Sequence, residues 1–302
     1  MGKKFSKVTT SHWGAFNVFV ENDKIINTEP FHADPAPPNI SQLVPNAVHH
    51  SKRVDQPYVR KGWLKKNTTS ARGNDEYVPL SWEDAIELAA NELIRVKNDF
   101  GNEAIFGGSY GWASAGRFHH SQSQLHRFLN SIGGYVSSYA SYSTGAAQAI
   151  IPHVLGLNFH KVTWGEINSW RLIEKHTDNL IIFGGINPKN SQVSMGGSTE
   201  HDVAEQFKNF KRLQKNMVSI SPQQDDSPQE TNWLPIIPGT DMALMLAIAY
   251  VLETENLADQ KFLDTHSSGY RVFKKYFLGE DGHSAKTPEW ASLETGIDAS
   301  QI

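Results

Sequence analysis

The stretch Asn179-Leu180-Ile181-Ile182-Phe183-Gly184-Gly185 is a short apolar run closed by two glycines. Unbroken Leu, Ile and Phe over too few residues for a helix read as a strand, and the glycines release the chain into a loop. Downstream, a helical pattern occupies Val203–Gln214 and Met217-Val218-Ser219-Ile220 reads as a second strand. A Pro/Gln/Asp-rich loop leads to Leu234-Pro235-Ile236-Ile237, and Pro238-Gly239-Thr240-Asp241 precedes a helix over Met242–Leu252. Strand, helix, strand, loop, strand, helix is the order of a parallel α/β sheet. Ligands on such sheets bind beyond the carboxyl ends of the strands, so the loops after Phe183, Ile220 and Ile237 are the natural nucleotide contacts.

Toward the N-terminus the pattern changes. Phe16-Asn17-Val18-Phe19-Val20, the polar Glu21-Asn22-Asp23-Lys24 and Ile25-Ile26 predict a β-hairpin. Residues 30–50 carry five prolines and are expected to wrap over a surface without regular structure. Ser81 is a candidate N-cap for a helix whose apolar set Ala85, Ile86, Ala89, Leu93 and Ile94 runs to about Asn98. Ala104-Ile105-Phe106-Gly107-Gly108 predicts a short buried strand, and Gln122–Ile132 a helix stopped by Gly133-Gly134. Asp298 looks like an N-cap with no helix after it, as if the chain ended mid-element. The resulting class is α/β: an N-terminal β-rich segment, then α/β regions with mainly parallel sheets, one of them doubly wound. The expected divisions are 1–56, 57–165 and 166–302.

Composition narrows the chemistry. The 302 residues include no cysteine, so the chain can supply no disulfide, cysteine–zinc site, cysteine-ligated iron–sulfur cluster or thiol nucleophile. A net charge of −4 leaves no electrostatic footprint for nucleic acid. No apolar stretch reaches the ~20 residues of a membrane span, and no signal peptide is present. The protein is therefore expected in the periplasm if an upstream signal has been removed, and otherwise in the cytoplasm.

The densest block for chemistry runs from Gly107 to Gly156. It holds Gly107-Gly108-Ser109-Tyr110-Gly111-Trp112-Ala113-Ser114-Ala115-Gly116, then Gly133-Gly134-Tyr135, then Ser141-Tyr142-Ser143-Thr144-Gly145-Ala146-Ala147-Gln148. Gly- and Ser-rich loops leave backbone N–H groups and hydroxyls able to converge on an anion, although plain turns at sheet ends have the same composition.

These motifs, in this order and spacing, resemble the dimethyl sulfoxide reductase family of molybdopterin oxidoreductases, and within it the biotin sulfoxide and trimethylamine N-oxide reductases. The resemblance covers essentially the whole chain: His12-Trp13-Gly14, Val59-Arg60-Lys61-Gly62-Trp63-Leu64, Asn187-Pro188 and Gly239-Thr240-Asp241 are further landmarks. It implies a bis(molybdopterin guanine dinucleotide) molybdenum cofactor with Ser143 as the protein ligand. Absence of cysteine agrees with the serine-ligated branch and with the lack of an iron–sulfur cluster. The resemblance puts Tyr110 and Trp112 near the metal, and Gly111, Trp112, Ala113 and Ser114 along the pterin. Asn187, Ser219, Ser221, Gly239, Thr240 and Asp241 fall where the family holds a guanine nucleotide. A carboxylate at 241 suits guanine, whose N1–H and exocyclic amine it can accept together; helix capping is the competing role. Relatives usually carry Asp-Pro where this chain has Ser221-Pro222.

The implied reaction is reduction of an S- or N-oxide, with electrons from an external donor, a c-type cytochrome or a reductase/thioredoxin system. Family members are much longer than this chain, so an inactive truncated fragment and a non-catalytic nucleotide-binding domain stand as alternatives. His119, His120 and His126 suggest a metal cluster, but no carboxylate completes a familiar spacing, and His119-His120 could instead line a substrate funnel.

Overall fold

The computed structural model describes residues 4–66, 72–109, 120–139, 142–164, 168–193 and 200–302. The chain divides into two compact units, residues 1–167 with 192–201 and residues 168–191 with 202–302. The mixed α/β class holds, with an antiparallel sheet first and a parallel one later.

In the first unit, β1 (Lys4–Ser11), β2 (Gly14–Glu21) and β3 (Lys24–Pro30) form an antiparallel sheet in that order. The expected hairpin is β2–β3, turning through Asn22 and Asp23 at φ 52° and 62°. Positive φ at both central residues is what a two-residue turn needs to match strand twist. β1 is an addition: its residues are almost wholly exposed, so no buried face marks it, yet it pairs with β2 along its whole length.

The proline-rich segment is more ordered than its composition predicts. It forms a 3-10 turn at Asn39–Leu43 and α1 (Val44–Val48). Pro45 sits in the first turn of α1, where a missing N–H costs nothing. β4 (Tyr58–Arg60) and β5 (Tyr77–Pro79) make an antiparallel pair flanking α2 (Lys61–Leu64). α3 (Trp82–Phe100) begins where Ser81 caps it, Oγ accepting from the Asp84 N–H at 3.0 Å. α4 (Ser121–Ser131) ends before Gly133 and Gly134, both at positive φ.

The strand expected at 104–108 is reduced to one parallel bridge, Phe106 to Val136. Ile105 is buried but Phe106 is 72% exposed, so only half of that run has a core to enter. A Cβ at Gly107 would lie 2.1 Å from Leu129 Cδ1, so any side chain there would require Leu129 to shift. α5 (Gly145–Leu155) and α6 (Phe159–Trp164) follow.

The second unit contains α7 (Trp170–His176), β6 (Asn179–Phe183), α8 (Val203–Arg212), β7 (Asn216–Ile220) and β8 (Asn232–Leu234). After them come α9 (Asp241–Thr254), α10 (Gln260–His266), α11 (Tyr270–Leu278) and α12 (Pro288–Thr295). β6, β7 and β8 are parallel neighbours in that order, with Phe183 level with Ile220 and Ile220 level with Leu234. Ile182 and Met217 pack with Phe207 and Phe210 of α8 on one face; Ile220 packs with Ile236, Leu244 and Ile297 on the other. Helices thus cover both faces. β8 stops at Leu234, earlier than Leu234–Ile237 suggests, because Pro235 has no N–H to continue the ladder. Asp298 does cap, holding a 3-10 turn at Ala299–Gln301.

A buried Asp34–His201 contact joins distant parts of the first unit. His201 Nδ1 lies 2.6 Å from Asp34 Oδ2, and the His201 backbone N–H donates to Asp34 Oδ1 at 3.0 Å. His201 Nε2 lies 3.1 Å from the Gln192 carbonyl, so each ring nitrogen has an oxygen within hydrogen-bond distance. Burial pushes the Asp34 carboxyl up, but hydrogen bonds from the His201 ring and backbone and from Ala36 outweigh it and hold it below its usual value. Such a group contributes stability above its unfolded pKa and loses it as pH falls through the folded one. We therefore expect His201→Ala to cost about 3 kcal/mol at pH 7, by leaving a carboxylate buried and unpaired. In urea unfolding, the gap from wild type should narrow as pH drops below about 4. A gap unchanged at lower pH would assign the cost to packing instead.

Candidate functional site

Tyr110, Gly111, Trp112, Ala113 and Ser114 lie outside the described residues, as does His119. Ser143 lies in an exposed turn with Tyr142, immediately ahead of α5. Thr144 occupies the N-cap position of α5 without a side-chain cap; its Oγ1 instead accepts from Gln148 Nε2 at 2.7 Å. No group of three or more His, Asp or Glu able to hold a metal occurs among the described residues. His120 caps α4, its Nδ1 accepting from the Ser123 N–H at 3.3 Å, and His126 stacks on Tyr135. These two histidines therefore have structural partners.

In the second unit, the strand-end loops converge as the parallel register requires. The Gly184 N–H donates to the Ile220 carbonyl at 2.8 Å, keeping the first loop beside the second. Gly185 sits at φ 76°, and a Cβ there would lie 2.4 Å from the Asp226 carbonyl oxygen. Asn187 then bridges across: Nδ2 donates to the Asp225 carbonyl at 2.9 Å and to Asp226 Oδ1 at 3.3 Å, while Oδ1 accepts from the Lys189 N–H at 3.1 Å.

Ser219 and Ser221 are fully buried. The Ser219 hydroxyl donates to Ser227 Oγ at 2.8 Å. Ser221 Oγ accepts from the Gln223 N–H at 3.4 Å, and the Ser221 carbonyl accepts from Trp233 Nε1 at 2.9 Å. Asn187, Ser219 and Ser221 are thus brought together around residues 221–228, and each makes a hydrogen bond to or within that loop. Its partners Asp225, Asp226 and Ser227 were not singled out in the sequence; the polar Gln-Gln-Asp-Asp-Ser-Pro run marks a loop but not which side chains clamp it. A cavity of about 530 Å3 opens beside this loop, lined in part by Pro188, Lys208, Asp225, Ser227, Glu230 and Trp233.

Gly239, Thr240 and Asp241 form the turn into α9. Gly239 is at φ 83° with open space where a Cβ would stand. Thr240 Oγ1 donates to the Ile237 carbonyl at 2.7 Å. Asp241 is the first residue of α9 rather than its cap, and its carboxylate has no hydrogen-bond or ion-pair partner among the described residues. The capping role that competes with ligand binding is therefore not the one Asp241 plays.

A molybdopterin oxidoreductase family signature matches residues 53–277, and one for the molybdopterin oxidoreductase N-terminal domain matches residues 9–49. The chain belongs to the molybdopterin oxidoreductase family. It is 38% identical over 301 residues to a trimethylamine-N-oxide reductase of Haemophilus influenzae, covering 98% of this chain and 36% of that protein. It is 37% identical over 282 residues to a biotin sulfoxide reductase of Cereibacter sphaeroides, covering 92% and 38%. Acetylene hydratase from Pelobacter acetylenicus shares the fold, with a TM-score of 0.59 at 22% identity over 98% of this chain and 37% of that one. This molybdopterin oxidoreductase chain therefore spans a little over a third of the length of these relatives. No helix among its described residues is long and apolar enough to cross a membrane.

The clamp between the first two strand-end loops predicts a specific loss. Gly185→Ala must adopt a positive φ and displace the Asp226 carbonyl, and is expected to cost about 2 kcal/mol or more. Asn187→Ala, which removes hydrogen bonds without a clash, should cost about 1 kcal/mol. Chemical denaturation ranks the two; an Asn187→Ala cost equal to or above the glycine's would overturn the close-approach argument.

Proposed function

We propose that the protein reduces an S- or N-oxide, of the kind represented by biotin, methionine or dimethyl sulfoxide or trimethylamine N-oxide. The net reaction is XO + 2H⁺ + 2e⁻ → X + H2O. The cofactor in this reading is molybdenum held by two molybdopterin guanine dinucleotides, without an iron–sulfur cluster, and an external protein or reductase system supplies the electrons. When bound, this cofactor supplies the two-electron, oxygen-accepting chemistry.

The observation that carries the reading is Ser143: a hydroxyl in an exposed turn ahead of a helix, in a cysteine-free chain belonging to this family. The donor set fits the group. Ser143 Oγ would be the chain's ligand to the metal, an oxygen donor suited to a high-valent ion. Tyr110 and Trp112 would donate hydrogen bonds to the substrate oxygen, the phenol and the indole N–H both being donors. Gly111, Ala113 and Ser114 would lie along the pterin.

The second unit would hold one guanine arm. Asp241 would accept guanine N1–H and the exocyclic amine as a bidentate pair, its carboxylate having no partner among the described residues. Gly239 leaves room for a ring or phosphate to approach the backbone, and Thr240 fixes the turn. Asn187, Ser219 and Ser221 act at one remove, keeping the neighbouring loop in place. In this division residues 57–165 carry the metal loops and 166–302 the nucleotide arm.

Two measurements test the reading separately. Guanosine diphosphate should bind the chain more tightly than adenosine diphosphate, and Asp241→Asn should erase about tenfold or more of that preference. Equal binding of the two nucleotides by wild type would sink the assignment of Asp241. In protein made in cells that assemble the cofactor, Ser143→Ala should lower molybdenum content and oxide reduction on the order of 100-fold. Retention of both would remove Ser143 from the metal.

A further inference from the structure

The short antiparallel pair β4–β5 carries a set of side chains that the proposed reaction does not use. Arg60 stands opposite Tyr77 in the register, and side chains alternate along a strand, so Tyr58, Arg60 and Tyr77 share one face. α2 follows β4 directly and adds Trp63. These four residues and Val59 line an open hollow of about 390 Å3 within the first unit, a volume at the small end of the range for ligand sites.

The aromatic lining is not core. Tyr58, Trp63 and Tyr77 are 46%, 40% and 56% exposed, and their phenol and indole groups have no hydrogen-bond partner among the described residues. Arg60 is more enclosed, its side chain 23% exposed, and its ion-pair partner Asp75 lies 3.6 Å from Nη1. That distance is too long for a hydrogen bond. Asp75 instead accepts from the Gly62 N–H, which lies 3.1 Å from each carboxylate oxygen. The guanidinium fork therefore keeps donors for a planar anion. The surroundings favour the same charge. Residues 58–66 and 73–79 hold Arg60, Lys61, Lys65 and Lys66 against only Asp75 and Glu76, in a chain whose net charge is −4. Lys61 pairs with Glu76, whereas Lys65 and Lys66 have no ion-pair partner among the described residues. A positive patch on an acidic chain draws anions to that place.

We propose that this hollow is a binding site for a small aromatic carboxylate. The ring lies among Tyr58, Trp63 and Tyr77, and the carboxylate meets the Arg60 guanidinium. Aromatic faces alone would suit a neutral ring or a cation, and a guanidinium alone would suit any oxyanion. Together they select a flat ring that carries negative charge. None of these residues belongs to the sets assigned to the metal or the nucleotide, so the site stands whether or not Ser143 and Asp241 hold a cofactor.

Calorimetric titration of the whole chain decides it. The probes are naphthoate, naphthalenemethanol as the same ring without charge, and cyclohexanecarboxylate as an anion without an aromatic ring. Naphthoate is expected to bind a single site, at least about tenfold more tightly than either analogue. Arg60→Lys keeps a positive charge beside Asp75 but loses the planar fork, and should weaken naphthoate about tenfold. Trp63→Leu should weaken naphthoate while leaving cyclohexanecarboxylate unchanged. Trp82→Leu, which removes an exposed tryptophan elsewhere in the same unit, should leave all three probes unchanged. Should Arg60→Lys fail to fold, Tyr77→Leu on the exposed rim carries the same test and should weaken naphthoate in its place. Absence of saturable naphthoate binding overturns the proposal. So does equal binding of naphthalenemethanol, or wild-type affinity in the Trp63 and Tyr77 variants.

Discussion

The parallel pairing of Asn179–Phe183 with Asn216–Ile220 is the constraint on which the second unit depends. Their level ends, Phe183 opposite Ile220, deliver Gly184–Asn187 beside Ser221–Ser227. The register also decides which side chains become core. Ile182 and Met217 enter one apolar cluster and Ile220 the other, while Ser219 turns to Ser227. Sliding β7 by one residue would push Ser219 into a hydrocarbon layer and send Ile220 toward the loop. Gly185 adds a second lock, since only a residue without Cβ permits the Asp226 carbonyl to come so near. The position of the loops is thus set by core packing on both faces.

How much of this the sequence disclosed depended on whether the signal was local. Leu180–Phe183 closed by Gly184-Gly185 marked β6 to the residue, and Ser81 marked the start of α3, because strand length and capping are properties of a few adjacent residues. β1 escaped notice, because an exposed edge strand of Lys, Ser and Thr shows no apolar alternation. The run Ile105-Phe106 gave too much strand, since hydrophobicity reports a wish for burial and not whether a neighbouring strand exists. Asp34 and His201, 167 positions apart, could not be paired by any spacing rule. At the candidate site, residue types suggested Asn187, Ser219 and Ser221 as ligand contacts, and the hydrogen bonds that Asn187 makes to the loop at 221–228 join residues too far apart for any spacing rule to pair. Asp241 differs from them in that its carboxylate has no hydrogen-bond or ion-pair partner among the described residues.

The two units solve the helix problem differently. α8, only ten residues long, is anchored by the fully buried Phe207 and Phe210. α3 has nineteen residues and buries none of them. What holds α3 is local: the Ser81 cap, the Glu83 and Asp84 carboxylates in its first turn, and Arg95 hydrogen-bonded to both Glu92 and Asp99. Those carboxylates raise the Arg95 pKa still further above its ordinary value. Lys97 reaches the Ile132 carbonyl at 2.8 Å, fastening the last turn to the loop after α4. Capping, dipole-matched charges and ion pairs are the terms that let a helix exist with little tertiary packing. Arg95 also lies 5.9 Å from the centre of the Phe100 ring, so one side chain serves both the ion pairs and the apolar end of the helix. A helix stabilised by its own ends and polar side chains needs little buried surface to keep its shape.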